Sequence, residues 1–169
     1  MQQDTQFRHL KMQVQRKLIH CLQLAEIHFK CTFPVPVVTY QIRGVKAGVA
    51  YLQRNEIRLN PILLLENREE FIAQVVPHEL AHLIVYQVFG RVQPHGKEWR
   101  EVMAVVFDLE PKVYHQFDIT GVKGNTVTYH CACREHHLTM RRHHNVQNKK
   151  AVYLCKDCKS RLNLKLDSI

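Results

Sequence analysis

The chain has 169 residues, 46% of them hydrophobic and 23% charged, an ordinary globular composition that excludes a mainly disordered or fibrous protein. Lys and Arg number 24 against 15 Asp and Glu, a formal net charge of +9 that points to an acidic partner without naming one. Twelve histidines and six cysteines are the unusual counts, and both residue types ligate borderline metals.

From residue 4 to 28, Phe7, Leu10, Val14, Leu18, Cys21, Leu22 and Ala25 recur at helical spacing, with Arg8, Lys11, Arg16 and Lys17 on the other face. This predicts an amphipathic helix with Asp4 as its N-cap and Cys21 as a buried core thiol. Pro34 and Pro36 break the pattern, and Val37 to Arg43 is β-branched and aromatic, a predicted strand. Val49 to Leu52 and Glu56 to Leu59 flank Gln53-Arg54-Asn55 and predict a hairpin. Asn60-Pro61 sets a capping side chain before proline and starts a short helix through Leu65. Asn67 and Glu70, in capping-box spacing, open a long apolar helix over 67–89 that Gly90 ends. Pro77 inside it predicts a kink. A further helix runs from His95-Gly96 through Trp99 and Met103 to Phe107, and Pro111 marks its end.

Composition changes after about residue 120. Residues 1–120 carry 14 Lys and Arg against 12 Asp and Glu, net +2, whereas residues 121–169 carry 10 against 3, net +7. The predicted division is therefore a domain over 1–120 and a basic module over 121–169. In the module, 126–129, 137–141 and 151–154 read as strands joined by turns at Gly124-Asn125 and Asn148-Lys149. The N-terminus has no apolar h-region, and the longest apolar runs are far too short to span a bilayer. The expectation is a soluble, cytoplasmic monomer with no membrane association. In that compartment cysteines stay reduced, and paired cysteines more often hold metal than form disulfides.

The first constellation is His78-Glu79-Leu80-Ala81-His82 on the long helix. Residues four apart share a helix face, so His78 and His82 can offer two imidazoles to one ion, with Glu79 beside them to take a proton from a water. A catalytic zinc needs a third protein ligand and one open position. The metzincin pattern is excluded, because Val85 and Val88 stand where it needs glycine and histidine. His95 is the favoured third ligand, in a loop between Pro94 and Gly96, with Glu98 and Glu101 as thermolysin-like alternatives. Tyr86, Tyr114 and His115 are candidates for stabilising an oxyanion.

The second constellation is Cys131-x-Cys133 and Cys155-x-x-Cys158, each pair next to a strand-like segment. Two knuckles of this kind predict a zinc ribbon with one closed, structural ion, and His136 or His137 could replace one cysteine. Four thiolates and one divalent ion would take the module from +7 to about +5. A basic, strand-rich module with Tyr129 and Tyr153 could bind nucleic-acid backbone and stack bases.

Together these motifs resemble the SprT family of zinc-dependent metalloprotease-like proteins. The likeness also includes His95-Gly96-Lys97-Glu98-Trp99, Ala47-Gly48-Val49-Ala50 and Ile57-Arg58-Leu59-Asn60-Pro61, and it covers nearly the whole chain. The resemblance implies that His78, His82 and His95 ligate zinc and that Glu79 is the catalytic acid and base. Eukaryotic relatives of the Spartan type cleave proteins crosslinked to DNA. The expected architecture is an α+β, zincin-like metalloprotease domain with an active-site helix and a small antiparallel sheet, followed by a β zinc ribbon. The expected function is hydrolysis of peptide bonds in a protein or peptide substrate, with one catalytic and one structural zinc and with DNA as a partner of the basic module. The 49–59 hairpin is expected to offer an edge strand to an extended peptide. The alternatives are a non-enzymatic zinc-containing DNA-binding or regulatory protein and a protein-interaction adaptor.

Overall fold

The computed structural model describes residues 2–113, 119, 122 and 124–165. Its contacts divide the chain into two compact units, Met1–Val122 and Lys123–Ile169.

The first unit is built on two long helices. Helix α1 (Gln2–Phe29) presents Leu10, Val14, Leu18, Cys21, Leu22 and Ala25 as one buried stripe, the periodicity read from the sequence. It begins at Gln2, so Asp4 lies in the first turn and is not the cap, where its charge suits the positive end of the helix dipole. Cys21 is buried, and burial pushes its thiol above the ordinary range.

Strand β1 (Val37–Thr39) is shorter than the 37–43 predicted. Strands β2 (Gly48–Tyr51) and β3 (Glu56–Leu59) form the expected antiparallel hairpin around a 3₁₀ turn, Leu52–Arg54. β1 joins β3 in parallel, so this sheet is mixed, with order β1-β3-β2 and β2 at an edge. A parallel pair needs a crossover, and the segment from 40 to 47 passes from β1 to the far side of β3. Ile57 and Leu59 point into the core, while Glu56 and Arg58 face outward and pair with each other.

Helix α2 (Pro61–Phe89) packs along α1 and beneath β2. Asn60 opens it as the sequence implied: its side-chain oxygen accepts from the N–H groups of Ile62 and Leu63, at 3.1 and 3.3 Å. Its amide also donates to the carbonyls of Gly44 and Lys46, at 2.7 and 3.0 Å. Asn60 is fully buried and ties the loop that leads into β2 to the start of the site helix. The short helix and the long one predicted after it form a single run broken at Arg68, where φ is 38° and ψ is −109°. The backbone keeps helical dihedrals at Pro77, so the break falls at Arg68 and not at the proline.

After α2 the chain forms α3 (Lys97–Glu101), which passes without interruption into a π turn over Val102–Val106 closed by Phe107 N–H to Val102 O at 3.0 Å. Trp99, Val102 and Met103 are buried there.

The second unit is a three-stranded antiparallel sheet of order β5-β4-β6, with β4 Thr126–His130, β5 Glu135–Thr139 and β6 Asn163–Leu164. Two expectations change here. The strand predicted over 137–141 ends at Thr139, whose hydroxyl caps a helix, α4 (Met140–Gln147). Residues 151–154 form no strand. They are one arm of a tight knuckle closed by Leu162 N–H to Tyr153 O and Cys155 N–H to Ser160 O, both 2.9 Å. Only Tyr129, Leu138, Cys155 and Leu162 are buried hydrophobics among the described residues of this unit.

Candidate metal centres and active site

The four-residue spacing of His78 and His82 on α2 puts both rings on the face that meets the 94–96 loop. His95 reaches the same point from a left-handed backbone, φ 56°. Gly96 follows because a Cβ there would lie 2.8 Å from the Gln93 carbonyl oxygen. Arg100 donates to the His95 carbonyl at 3.2 Å and holds the turn.

The three Nε2 atoms are 3.3, 3.1 and 3.0 Å apart, while the ring centroids are 4.7–5.1 Å apart. The rings therefore point nitrogen-first at one spot. Nitrogens held about 2.0–2.1 Å from a tetrahedral ion would be about 3.3–3.4 Å apart, close to what is seen. Burial, followed by the neighbouring His95, lowers His82 to about 4, and burial followed by Arg100 lowers His95. Both are neutral at ordinary pH, the state in which imidazole ligates. Three ligands leave a tetrahedral ion one open position. Neither Glu98 nor Glu101 belongs to the cluster, so among the described residues His95 is the third donor.

Two residues of the motifs quoted above, to which the sequence alone gave no role in the site, complete it. Trp99 forms its floor: the indole centroid is 4.7 Å from those of His78 and His95, and it stacks on His82 at 5.7 Å. Its Nε1–H donates to the His78 carbonyl at 3.3 Å, which fixes α3 against the site helix. The sequence signal was the lone tryptophan four residues after a loop histidine. The second feature is Gly48 on β2. A Cβ there would sit 2.7 Å from Glu79 Cγ and 2.8 Å from its Oε1, so only glycine lets the strand pass over the carboxylate. A glycine inside a strand pattern was the signal for that close approach.

Glu79 is buried beneath β2, where the Ala50 N–H hydrogen-bonds its carboxylate. Burial raises its pKa to about 7 against that hydrogen bond. Gly48, Ala50, Glu79 and the three histidines line one cleft of about 600 Å³. Tyr86 lines a neighbouring cleft instead, and Tyr114 and His115 lie outside the described residues.

In the second unit the Sγ atoms of Cys131, Cys133, Cys155 and Cys158 all lie within 4.8 Å of one another. Cys131 to Cys133 is 3.4 Å and Cys133 to Cys155 is 3.7 Å. Sulfurs about 2.3 Å from a tetrahedral ion would be about 3.8 Å apart. Burial opposes ionisation of Cys131, yet the Cys133 N–H and His136 outweigh it and hold the thiol at about 5. Cys133 is pushed up to about 12, first by its hydrogen bond with Cys131 and then by that with Cys158. The four sulfurs can all carry charge only around a cation. His136 Nε2 lies 3.2 Å from Cys131 Sγ and His137 is directed to Thr128, so His136 adjoins the sulfur cluster and His137 does not.

The residues thus form two candidate metal centres, one of three histidines and one of four cysteines. Among the described residues no helix is long and apolar enough to cross a membrane. The model of the SprT-like family matches residues 18–115. Among curated proteins, "Protein SprT" of Pasteurella multocida (strain Pm70) is 64% identical over 164 residues, 97% of this chain and 99% of that one. "Protein SprT" of Actinobacillus succinogenes is 62% identical over 162 residues, 96% and 95% of the two chains. "Protein SprT" of Vibrio parahaemolyticus is 49% identical over 154 residues, 91% and 93%. No solved structure matches significantly. With the family's model spanning more than half of the chain and these relatives covering nearly all of it, the chain belongs to the SprT-like family.

Proposed function

We propose that the protein is a zinc-dependent metallopeptidase that cleaves peptide bonds, with His78, His82 and His95 as the ligands of a catalytic zinc and Glu79 as its general base and acid. The observation that carries this reading is the convergence of three imidazoles, their Nε2 atoms 3.0–3.3 Å apart, beside a buried carboxylate in one open cleft. With zinc held by these residues, the pKa of a bound water would fall to about 7 and a substrate carbonyl would be polarised. Glu79 receives the proton of the attacking water at its carboxylate and passes it to the leaving amine, and a pKa of about 7 suits both transfers. Edge strand β2 offers main-chain groups to an extended peptide, which aligns the scissile bond through backbone contacts. Cys131, Cys133, Cys155 and Cys158 hold a second, structural zinc.

The basic second unit supports a further element of the reading, action on DNA-associated proteins. Arg142 lies over the Tyr153 ring at 5.6 Å, a pairing suited to a backbone phosphate beside a stacked base. The test is cleavage of a DNA-binding protein with and without DNA, comparing the wild type with Glu79→Gln. Wild-type cleavage that the variant loses supports the peptidase, and equal activity in the two removes Glu79 from the mechanism. Binding of DNA that weakens steeply with salt and without any cleavage would favour the non-enzymatic alternative.

A further inference from the structure

A second cleft, of about 420 Å³, adjoins the metal cleft and shares Ala50 and Leu52 with it. It lies where β2 runs into the 3₁₀ turn and meets the C-terminal end of α2. Three arginines line it: Arg54 from the turn, Arg58 from β3 and Arg91 just beyond α2. Arg58 is fixed in place. Its Nε and Nη2 donate to the two oxygens of Glu56 at 2.7 and 3.2 Å, and its guanidinium lies 4.3 Å over the Tyr51 ring. Glu56 pairs with Arg58 and its charge also reaches Arg54, while no ion pair to Arg54 or Arg91 occurs among the described residues. Gln87 donates to the Asn55 side chain at 3.3 Å, which joins the turn to α2 and holds the cleft's two sides together.

The geometry points to a specificity subsite: Arg54 and Arg91, on the rigid floor of Arg58 and Tyr51, select a substrate peptide with an acidic side chain a few residues from the scissile bond. The inference rests on the peptidase reading. A peptide laid along β2 advances about 3.3 Å per residue, so a chain crossing the metal cleft reaches the arginines within a few residues. A carboxylate matches two guanidinium groups on an exposed rim, where it gains a moderate charge-assisted pairing. The cleft has room for a side chain and continues the peptide's path, which favours an acidic peptide over a nucleic-acid strand.

The test uses peptide pairs that differ only by Glu or Gln, scanned across the positions flanking the cleaved bond. In the wild type one position should favour Glu by about fivefold in kcat/KM, as expected for one exposed charge pair. In Arg54→Gln/Arg91→Gln that ratio should fall to about one, and in Arg54→Glu/Arg91→Glu it should fall below one. No preference at any position in the wild type, or a preference that survives the double variant, overturns the assignment. If no peptide is cut, the peptidase reading fails by itself, and the subsite is then read by fluorescence anisotropy of labelled Glu and Gln peptides on the zinc-loaded Glu79→Gln protein. Tighter binding of the Glu peptide that requires Arg54 and Arg91 supports the subsite. Equal binding of the two peptides, or an oligonucleotide that takes over dependence on these arginines, overturns it.

Discussion

The two candidate metal centres rest on opposite foundations. Around the histidines, the core of the first unit includes Leu18, Phe71, Leu80, Ile84 and Trp99, all nearly or fully buried. Each such side chain stabilises the fold by roughly 1.5–3 kcal/mol. Backbone packing therefore positions His78, His82 and His95, and a metal would enter a site already shaped. Around the cysteines, four buried hydrophobics are all that the described residues provide, and one of them is Cys155 itself. So small a core would leave most of the folding free energy to a bound ion. A metal that reacts needs a rigid, open site, and a metal that only holds the chain together can be enclosed by loops.

The sharpest way to break this contrast is to remove metal. Structural zinc in small modules is worth about 10–16 kcal/mol in apparent terms, so chelation should unfold residues 123–169 and leave the first unit folded. Limited proteolysis with mass measurement should then cut within 123–169 and leave a resistant core near 1–122. Cys155→Ser should do the same and lower bound zinc from two ions per chain to one. A second unit that resists protease without metal would remove the contrast. Next in size is Glu79→Gln, which should cost roughly 10²- to 10⁴-fold in peptide turnover while zinc content and Tm stay close to wild type. Loss of zinc from that variant would mean that the carboxylate helps hold the site together.

Glycine substitutions probe the contrast at finer scale. Gly48→Ala drives a methyl into Glu79 and Val75 and should cost about 1–3 kcal/mol, along with turnover. At Gly124 in the second unit a Cβ meets nothing within 4 Å, so Gly124→Ala should leave Tm nearly unchanged. Denaturant melts of the two variants compare a packed site with an open one. Asn60→Ala should cost about 1–2 kcal/mol from the lost cap of α2, measurable as a lower unfolding midpoint at unchanged slope.

Much of the first unit was legible because its signals are local. The apolar stripe of α1, the cap at Asn60 and the hairpin over 49–59 depend on residues a few positions apart. Pro77 misled because buried packing on both sides holds the backbone helical there, whereas the break at Arg68 falls beside the boundary that Asn67 and Glu70 mark between two predicted helices. In the second unit α4 was missed because Met140–Gln147 has no buried residue and only Met140 and Val146 as apolar positions, too few to signal a helix. The 151–154 arm was read as a strand because its β-branched and aromatic residues suit one. It makes only a single antiparallel bridge, Leu154 to Arg161, before the turn of the cysteine knuckle.

The sequence by itself determined which residues could do chemistry: two histidines and a glutamate within one helical turn, a loop histidine flanked by proline and glycine, and two cysteine pairs. Spacing along a helix or within a knuckle is a short-range property, and composition makes it visible. Only the tertiary structure decided that His95, and neither Glu98 nor Glu101, completes the histidine cluster. It also decided that Gly48 exists to let a strand cross Glu79, and that Trp99 is the floor beneath three imidazoles. Those relations join segments far apart in the chain. Their cause is packing: burial raises the Glu79 pKa and lowers those of His82 and His95, and burial depends on what every other element contributes.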